Sequence, residues 1–267
     1  MISFVATPIG NLKDITLRAL ETLKQADVIF CEDTRHTIKL LNAYEIKKPL
    51  FACHKFNEAE AAQKILEHAR RGENVAIVSD AGTPVVSDPG NVVCQKLREA
   101  GEPYTLIPGA SAFVAALVLS ALPADRFAFI GFLPDKASEK KAVLEKYKDL
   151  DVTLAFHSAP QDVDKDIRAM YEVFGDRPAA AVREITKLHE ETKRFSLAEG
   201  LDGEKRGEYV LIVQGAEEKQ SPLNALDPKE HIKHYMAAGL EKKEALKKAA
   251  KDRGVSKSEL YPFAIDL

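Results

Sequence analysis

Neither of the common phosphate-cradling loops is present in this chain. No G-x-G-x-x-G follows the first apolar run, and no G-x-x-x-x-G-K-[ST] occurs anywhere in its 267 residues. This argues against a dinucleotide-dependent dehydrogenase and against a P-loop enzyme. Cysteine is scarce: Cys31, Cys53 and Cys94 are odd in number and widely spaced, which fits neither a disulfide framework nor a C-x-x-C metal site, and they read as packing residues. His231 and His234 share a helical face at i, i+3, but no other ligand type joins them at zinc-like spacing, so no metal is expected. No run approaches the ~18 apolar residues of a membrane span. The amino terminus opens on a strand pattern instead of a basic start with a small-residue cleavage site, and the chain is expected to be cytoplasmic. Internal repeats and low-complexity tracts are absent as well.

What is there is concentrated in three segments rich in Gly and Pro. They are Thr7-Pro8-Ile9-Gly10-Asn11-Leu12, Ser79-Asp80-Ala81-Gly82-Thr83-Pro84 running on to Ser87-Asp88-Pro89-Gly90, and Pro108-Gly109-Ala110-Ser111-Ala112. Each follows a short apolar run (Ile2 to Ala6, Val75 to Val78, Tyr104 to Ile107) with the composition of a buried parallel strand, and each precedes a helical pattern. In a parallel sheet such loops gather at the carboxyl edge, where ligands sit. Gly at these positions permits close approach to the main chain, and Pro fixes the neighbouring dihedrals, so together the loops describe a rigid cradle of amides.

The strand–helix alternation is regular. Helices are expected at Thr16 to Gln25, Thr34 to Ala43, Ala59 to Arg71, Pro89 to Ala100 and Ser111 to Ser120. The pattern restarts near residue 122: a strand at Phe127 to Phe132, a charged helix to Lys148, a strand at Val152 to Phe156, a helix at Asp164 to Phe174, and strands at Ala179 to Ile185 and Tyr209 to Gln214. With 45% hydrophobic and 30% charged residues, the chain can bury one or two sizeable cores. The expectation is an α/β protein of two α/β domains, 1–122 and 123–218, with a ligand cleft between them and Leu122-Pro123-Ala124-Asp125 as hinge. A helical appendage over 219–267 follows Ser221-Pro222, with helices at Lys229 to Ala238 and Lys242 to Arg253 and a capping box at Ser256 to Glu259. Residues 229–253 carry eight Lys or Arg against four Asp or Glu, inside a chain of net charge -3. Such a stretch is either a solvated helix face or a contact to RNA phosphates.

These segments resemble the tetrapyrrole methylase superfamily of S-adenosylmethionine-dependent methyltransferases, and within it the bacterial enzymes that 2′-O-methylate a cytidine ribose of small-subunit ribosomal RNA. The resemblance rests on Ala6 to Thr16, Cys31-Glu32-Asp33-Thr34-Arg35-His36-Thr37, Val78 to Pro84, Ser87 to Gly90, Gly131-Phe132-Leu133-Pro134, Arg183-Glu184-Ile185-Thr186-Lys187 with Glu190, and Lys205-Arg206-Gly207-Glu208. It implies that Pro8, Gly10, Asp80, Ala81, Gly82, Thr83, Ser111, Ala112 and Phe156 hold the methyl donor. It places Glu32, Thr34, Arg35, Arg183 and Lys187 on the acceptor side, where Arg is the natural bidentate partner of a phosphate. Lys140, Lys141 and Lys247 are expected to add to an RNA-facing surface, with Lys136 nearby, and the family's homodimers imply a second copy as partner. The RNA partner is ribosomal RNA of the small subunit, free or in the assembled subunit. A ribose hydroxyl is a weak acid and a base should help; Glu184, Asp33 and His54 are the candidates, and the sequence leaves their order open. Glu184 with Lys187 reads equally well as a structural ion pair.

One stretch departs from the family pattern. After Phe156 the family continues Tyr-Glu-Ser, a small residue or Pro, then His-Arg; here the chain reads His157-Ser158-Ala159-Pro160-Gln161-Asp162. Three activities therefore stay open: ribose methylation of ribosomal RNA, C-methylation of a tetrapyrrole, and a non-catalytic relative that binds the donor. The Ser-Asp-Ala-Gly-Thr-Pro and Glu-Asp-Thr-Arg stretches and the basic tail favour the first, and the replaced motif favours the third.

Overall fold

A computed structural model describes residues 1–217, 222–265 and 267. Two compact units are present, residues 1–215 and 216–267. The expected boundary after residue 218, and Ser221 with it, lie outside the described residues.

The first sheet is wholly parallel. Strands β1 (Ile2–Val5), β2 (Val28–Cys31), β3 (Leu50–Ala52), β4 (Val75–Val78) and β5 (Tyr104–Ile107) lie in the order β3-β2-β4-β1-β5. Every residue of β1, β2 and β4 is buried, which explains their unbroken apolar character. Helices α1 (Leu17–Gln25), α2 (Thr34–Ala43), α3 (Glu58–Arg70), α4 (Asn91–Glu99) and α5 (Ala112–Ser120) follow the strands in turn, within two residues of the expected limits. Since β4, β1 and β5 are neighbours, the three Gly/Pro-rich loops that follow them stand side by side. They are also tied together: Thr7 and Gly82 exchange main-chain hydrogen bonds of 2.9 and 3.1 Å, and the Thr83 hydroxyl donates to the Ala110 carbonyl at 3.3 Å.

The second sheet has the order β6-β7-β10-β8-β9, from β6 (Phe127–Phe132), β7 (Thr153–Ser158), β8 (Pro178–Arg183), β9 (Glu191–Ser196) and β10 (Tyr209–Val213). Only β6 and β7 run parallel; the other pairs are antiparallel. Helices α6 (Ala137–Glu145) and α7 (Val163–Phe174) complete this half. Strand β9, Glu-Thr-Lys-Arg-Phe-Ser, is absent from the expected elements because its polar, charged sequence lacks an apolar face. It lies at the sheet edge, where such residues discourage pairing with another chain.

Residue 122 is not where the contacts part. Helix α5 packs Ala116 and Leu117 against Ala155, Val182, Val210 and Ile212 of the second sheet, and Arg194 of β9 donates to the carbonyls of Ser120 and Leu119 at its end. Apolar residues all round α5 fit this position, with Val118 left exposed.

The second unit holds α8 (Pro228–Ala237), α9 (Lys242–Asp252) and α10 (Lys257–Leu260) around a small core of Ile232, Ala245, Leu246, Ala249 and Leu260. The Ser256 hydroxyl caps α10 by accepting from the Glu259 amide. His231 is fully buried, accepts from Arg253 Nε at 3.1 Å and lies 3.3 Å from Asp252, while His234 is exposed. No group of His, Cys, Asp or Glu suited to a metal occurs among the described residues. Lys243, Lys247 and Lys248 stand exposed on α9, away from its alanine face.

Candidate functional site

A cavity of about 360 Å³ opens where the first sheet's loops meet the second sheet, a size suited to a small-molecule ligand. Ala81, Gly82, Thr83, Ser111 and Ala112 line it as expected, together with Ile9 from the first loop. Gly82 has φ +78°, and a β-carbon there would touch Ile9 at 3.4 Å, so the loop keeps this path only with glycine.

Other wall residues are not among those expected from the sequence to hold a ligand. Phe132, His157, Ser158, Ile185, Glu208 and Tyr209 face the cavity from the second sheet and its loops. Val86, Ser87 and Asp88 face it from the loop before α4. Two backbone devices turn these residues inward. Val85 and Ser87 have φ of 78° and 64° on either side of Val86, and Glu184 and Thr186 have φ of 49° and 65° on either side of Ile185. Left-handed backbone at a non-glycine residue costs of order 1–3 kcal/mol and is held in place by its surroundings. Here Glu58 fixes the first loop's exit through the amides of Gly90 and Val92, both at 2.9 Å. Glu184 and Glu190 fix the second: Glu184 accepts from Lys187 at 3.0 Å and from the Glu208 amide at 3.2 Å, and Glu190 accepts from the Thr186 amide at 2.7 Å. Gly131, at φ +78°, lets the bulged end of β6 approach Ser87; a β-carbon would lie 3.0 Å from its hydroxyl.

The remaining expected site residues fall outside the cavity wall. Pro8 is buried beside it, and Gly10 receives the Lys187 side chain so closely that a β-carbon would meet it at 2.6 Å. Asp80 accepts the Asp33 amide at 3.1 Å, joining the ends of β4 and β2. Phe156 is fully buried in the second sheet's core, so its side chain is not available to a ligand. Arg183 is taken up by Glu191 at 2.6 Å, and Lys187 by Glu184 and by Glu208 at 3.6 Å. Thr34 and Arg35 line a separate groove with Lys47 and Lys48, and Glu32 is half-buried near Asp80 and Asp88. Lys141 is exposed. Its neighbour Lys140 requires a correction: it is buried, ion-paired to Asp166, and shares that carboxylate with the Ser158 hydroxyl at 2.6 Å. An apolar enclosure needs both charges paired, so Lys140 supports the cavity wall from behind and cannot face RNA.

The three expected bases also fall outside the wall. Burial raises Glu184, but hydrogen bonds from Lys187 and the Glu208 amide and the nearby cations outweigh it and hold the carboxyl below its ordinary value. Hydrogen bonds from Arg35 bring Asp33 down to about 2. His54 lies beside Phe56 with Nδ1 buried and unpartnered.

Among the described residues no lysine or arginine lines the cavity, whereas Asp88 and Glu208 do. Burial raises the Asp88 carboxyl, with neighbouring Asp80 adding to the effect and a Ser79 hydrogen bond opposing it. A di- or triphosphate would find no lysine or arginine to pair with here among the described residues. A ligand with apolar parts and positive charge does.

A profile of the tetrapyrrole (corrin/porphyrin) methylases matches residues 1–200. The chain belongs to that family. Among the family's members, the ribosomal RNA small subunit methyltransferase I of Bacillus subtilis is 41% identical over 270 residues, covering 98% of this chain and 92% of its own. The protein of the same name from Thermotoga maritima is 40% identical over 217 residues, covering 80% of this chain and 97% of its own. Solved structures agree in fold: the methyltransferase CobJ superposes with a TM-score of 0.62 at 19% identity over 80% of this chain and 94% of that one. Uroporphyrin-III C-methyl transferase from Thermus thermophilus, complexed with S-adenosylhomocysteine, gives 0.56 at 20% identity over 79% and 96%.

Proposed function

We propose that this methylase-family chain transfers a methyl group from S-adenosylmethionine to the 2′-hydroxyl of a cytidine ribose in small-subunit ribosomal RNA. The carrying observation is the cavity: a glycine-shaped loop that runs on to Asp88 on one side, rings and Glu208 on the other, and no lysine or arginine in its wall among the described residues. This suits a donor of net positive charge with a nucleoside body, and the relatives' names supply the acceptor class. When bound, the sulfonium carries a methyl already activated for transfer, so the protein's task is to align the acceptor oxygen and keep water out. Main-chain groups of Ala81 to Thr83 and the start of α5 would hold the donor, Asp88 would meet positive charge, and Phe132, 61% exposed at the cavity, offers an unpaired nucleotide a face to stack on.

Incubation with labelled methyl donor and either small ribosomal subunits or a uroporphyrinogen-type substrate tests this reading. Label is expected in the RNA; label in the tetrapyrrole, or in neither, overturns it.

A second copy of the chain is the proposed protein partner. Tyr104 and Leu106 on the edge strand β5, and Val114 and Val118 on α5, are large apolar side chains left exposed, the sort of surface that another subunit covers. The proposed setting is the cytoplasm, where the RNA is. The second unit is read as an added grip on RNA and not as part of the chemistry: it amounts to about a fifth of the chain and contributes no residue to the cavity wall among the described residues. Charge reversal at exposed Lys243, Lys247 and Lys248 should weaken RNA binding, lower the salt slope by up to about 0.9 per lost phosphate contact on a duplex and about 0.7 on a single strand, and leave donor affinity alone. Filter binding at two salt concentrations reads this, and an unchanged slope removes the tail from the RNA contact.

A further inference from the structure

We propose that His157 is the catalytic base of this enzyme, the group that takes the proton from the ribose hydroxyl as the methyl group is transferred. The inference rests on the functional reading above and goes beyond it, because it assigns the proton to one residue.

The cavity wall contains four titratable side chains: Asp88, His157, Glu208 and Tyr209. Asp88 stands beside the donor-holding loop and is accounted for by a cationic ligand. The Glu208 side chain is exposed and lies 3.6 Å from Lys187. Tyr209 is buried, with the Arg183 guanidinium beside it. His157 differs from all of these. It is half-buried at the end of β7, and its imidazole has no hydrogen-bond or ion-pair partner among the described residues. Its ring is held by rings: Phe129 meets it edge-on at 5.1 Å and 83°, and Phe132 lies at 5.2 Å and 31°. Phe113, stacked on Phe129 at 4.3 Å, backs the arrangement from α5. An imidazole oriented by apolar contacts alone, with both nitrogens free at a ligand cavity, is set to bond to whatever enters.

Its charge state fits the role. From β6 it meets only uncharged rings, from β10 it faces Val210 with Glu208 two residues before, and Asp88 lies in the same wall. Burial lowers the imidazole below its ordinary value, and the Glu208 charge only partly opposes this. The ring is therefore neutral, and able to accept a proton, across the neutral range. In the step proposed, the hydroxyl O–H bond breaks with its proton passing to a ring nitrogen. The oxygen's electron pair forms the new bond to the methyl carbon, and the carbon–sulfur pair stays on sulfur as a neutral thioether. The imidazolium then returns its proton to water.

The test uses the whole protein with H157Q and H157E. Nitrogen-15 NMR of labelled histidines, with the His157 signal assigned by its loss in H157Q, should show titration below the ordinary value near 6.5. That signal should also move when S-adenosylhomocysteine binds. Calorimetry should give the same S-adenosylhomocysteine affinity in both variants, which also shows that they fold. Single-turnover methylation of small subunits should fall on the acid side with the midpoint that NMR gives. H157Q should lose that limb and slow by about 10²–10⁴-fold, while H157E should restore part of the rate with the limb moved to lower pH. An H157Q protein that keeps both rate and limb, or that loses donor affinity in proportion to rate, overturns the proposal while the methyltransferase reading stands. A wild-type protein that labels no RNA removes that reading and this proposal together.

Discussion

The first sheet's loops reach the cavity through the small residues Ala81, Gly82 and Thr83 and, further along the same loop, through Asp88, whereas the second sheet reaches it through larger side chains, Phe132, His157 and Glu208. The two walls are not equally readable. A wall made of main chain must be written in residues that permit unusual dihedrals and close approach, and Gly and Pro are conspicuous in any sequence. A wall made of side chains can use any strand end, where an aromatic residue can equally well serve core packing and an acidic one a surface ion pair. Hence the Gly- and Pro-rich loops after β1, β4 and β5 can be assigned to a ligand without coordinates, and the inward turn of Val86 and of Ile185 cannot. Nothing in Val85, Ser87, Glu184 or Thr186 as residue types signals left-handed backbone.

Variants can be aimed at either wall, and the largest effect is expected behind the side-chain wall. Lys140→Met leaves the buried Asp166 carboxyl without its cation, with the Ser158 hydroxyl as its remaining side-chain partner among the described residues. Removing one partner of a buried pair costs about 3–5 kcal/mol, and denaturant unfolding should show a loss of that order. Replacing Lys140 and Asp166 together with apolar residues should recover most of it. A loss below about 1 kcal/mol in the single variant would mean that water reaches the pair.

Gly82→Val attacks the main-chain wall. Left-handed backbone at a non-glycine residue costs roughly 1–2 kcal/mol, and a branched side chain would press on Ile9, so the loop should shift and donor affinity should fall more than tenfold by calorimetry. Unchanged affinity in a folded variant would separate this loop from the ligand.

The two walls should also differ in their response to pH. Asp88 has its carboxyl raised by burial, so it gains protons at a higher pH than an ordinary carboxyl does. Affinity for S-adenosylmethionine should then weaken as pH falls through that raised value, because a neutral carboxyl no longer meets a positive ligand. Asp88→Asn should flatten the dependence at a cost of about 1 kcal/mol or more in affinity, the scale of one close ion pair in a wet site. A dependence that survives the substitution would show that Asp88 is not its source.

Other parts of the molecule are legible in proportion to how strongly burial shapes their sequence. Strands β1, β4 and β5, the helices of the first half and the helices of the tail lie within about two residues of expectation because each has an unbroken apolar run, a periodic apolar face or a capping residue. Strand β9 has none of these. Phe156 and Lys140 show the same limit at single residues. Each sits in a segment of the right kind, but the direction of one side chain depends on packing across the sheet, and no local pattern carries that.

The adjacent lysines Lys140 and Lys141 make the smallest prediction the sharpest comparison. They occupy consecutive positions of α6, so a charged helix written Ser-Glu-Lys-Lys treats them alike. One turn step of about 100° separates them, which puts Lys140 against Asp166 and Lys141 in solvent, with no ion pair among the described residues. Lys141→Gln should therefore change stability by less than about 0.5 kcal/mol, against a loss several times larger for its neighbour. Its effect on RNA affinity should be a small reduction that fades as salt is raised, since an exposed lysine contributes through a screened, sequence-independent contact. Equal unfolding midpoints for Lys141→Gln and the wild type, with a lower midpoint for Lys140→Met, would show that one of the two lysines supports the wall and the other is free to meet a phosphate. Equal losses for both would mean that α6 is rotated about its axis, with Lys141 also turned inward.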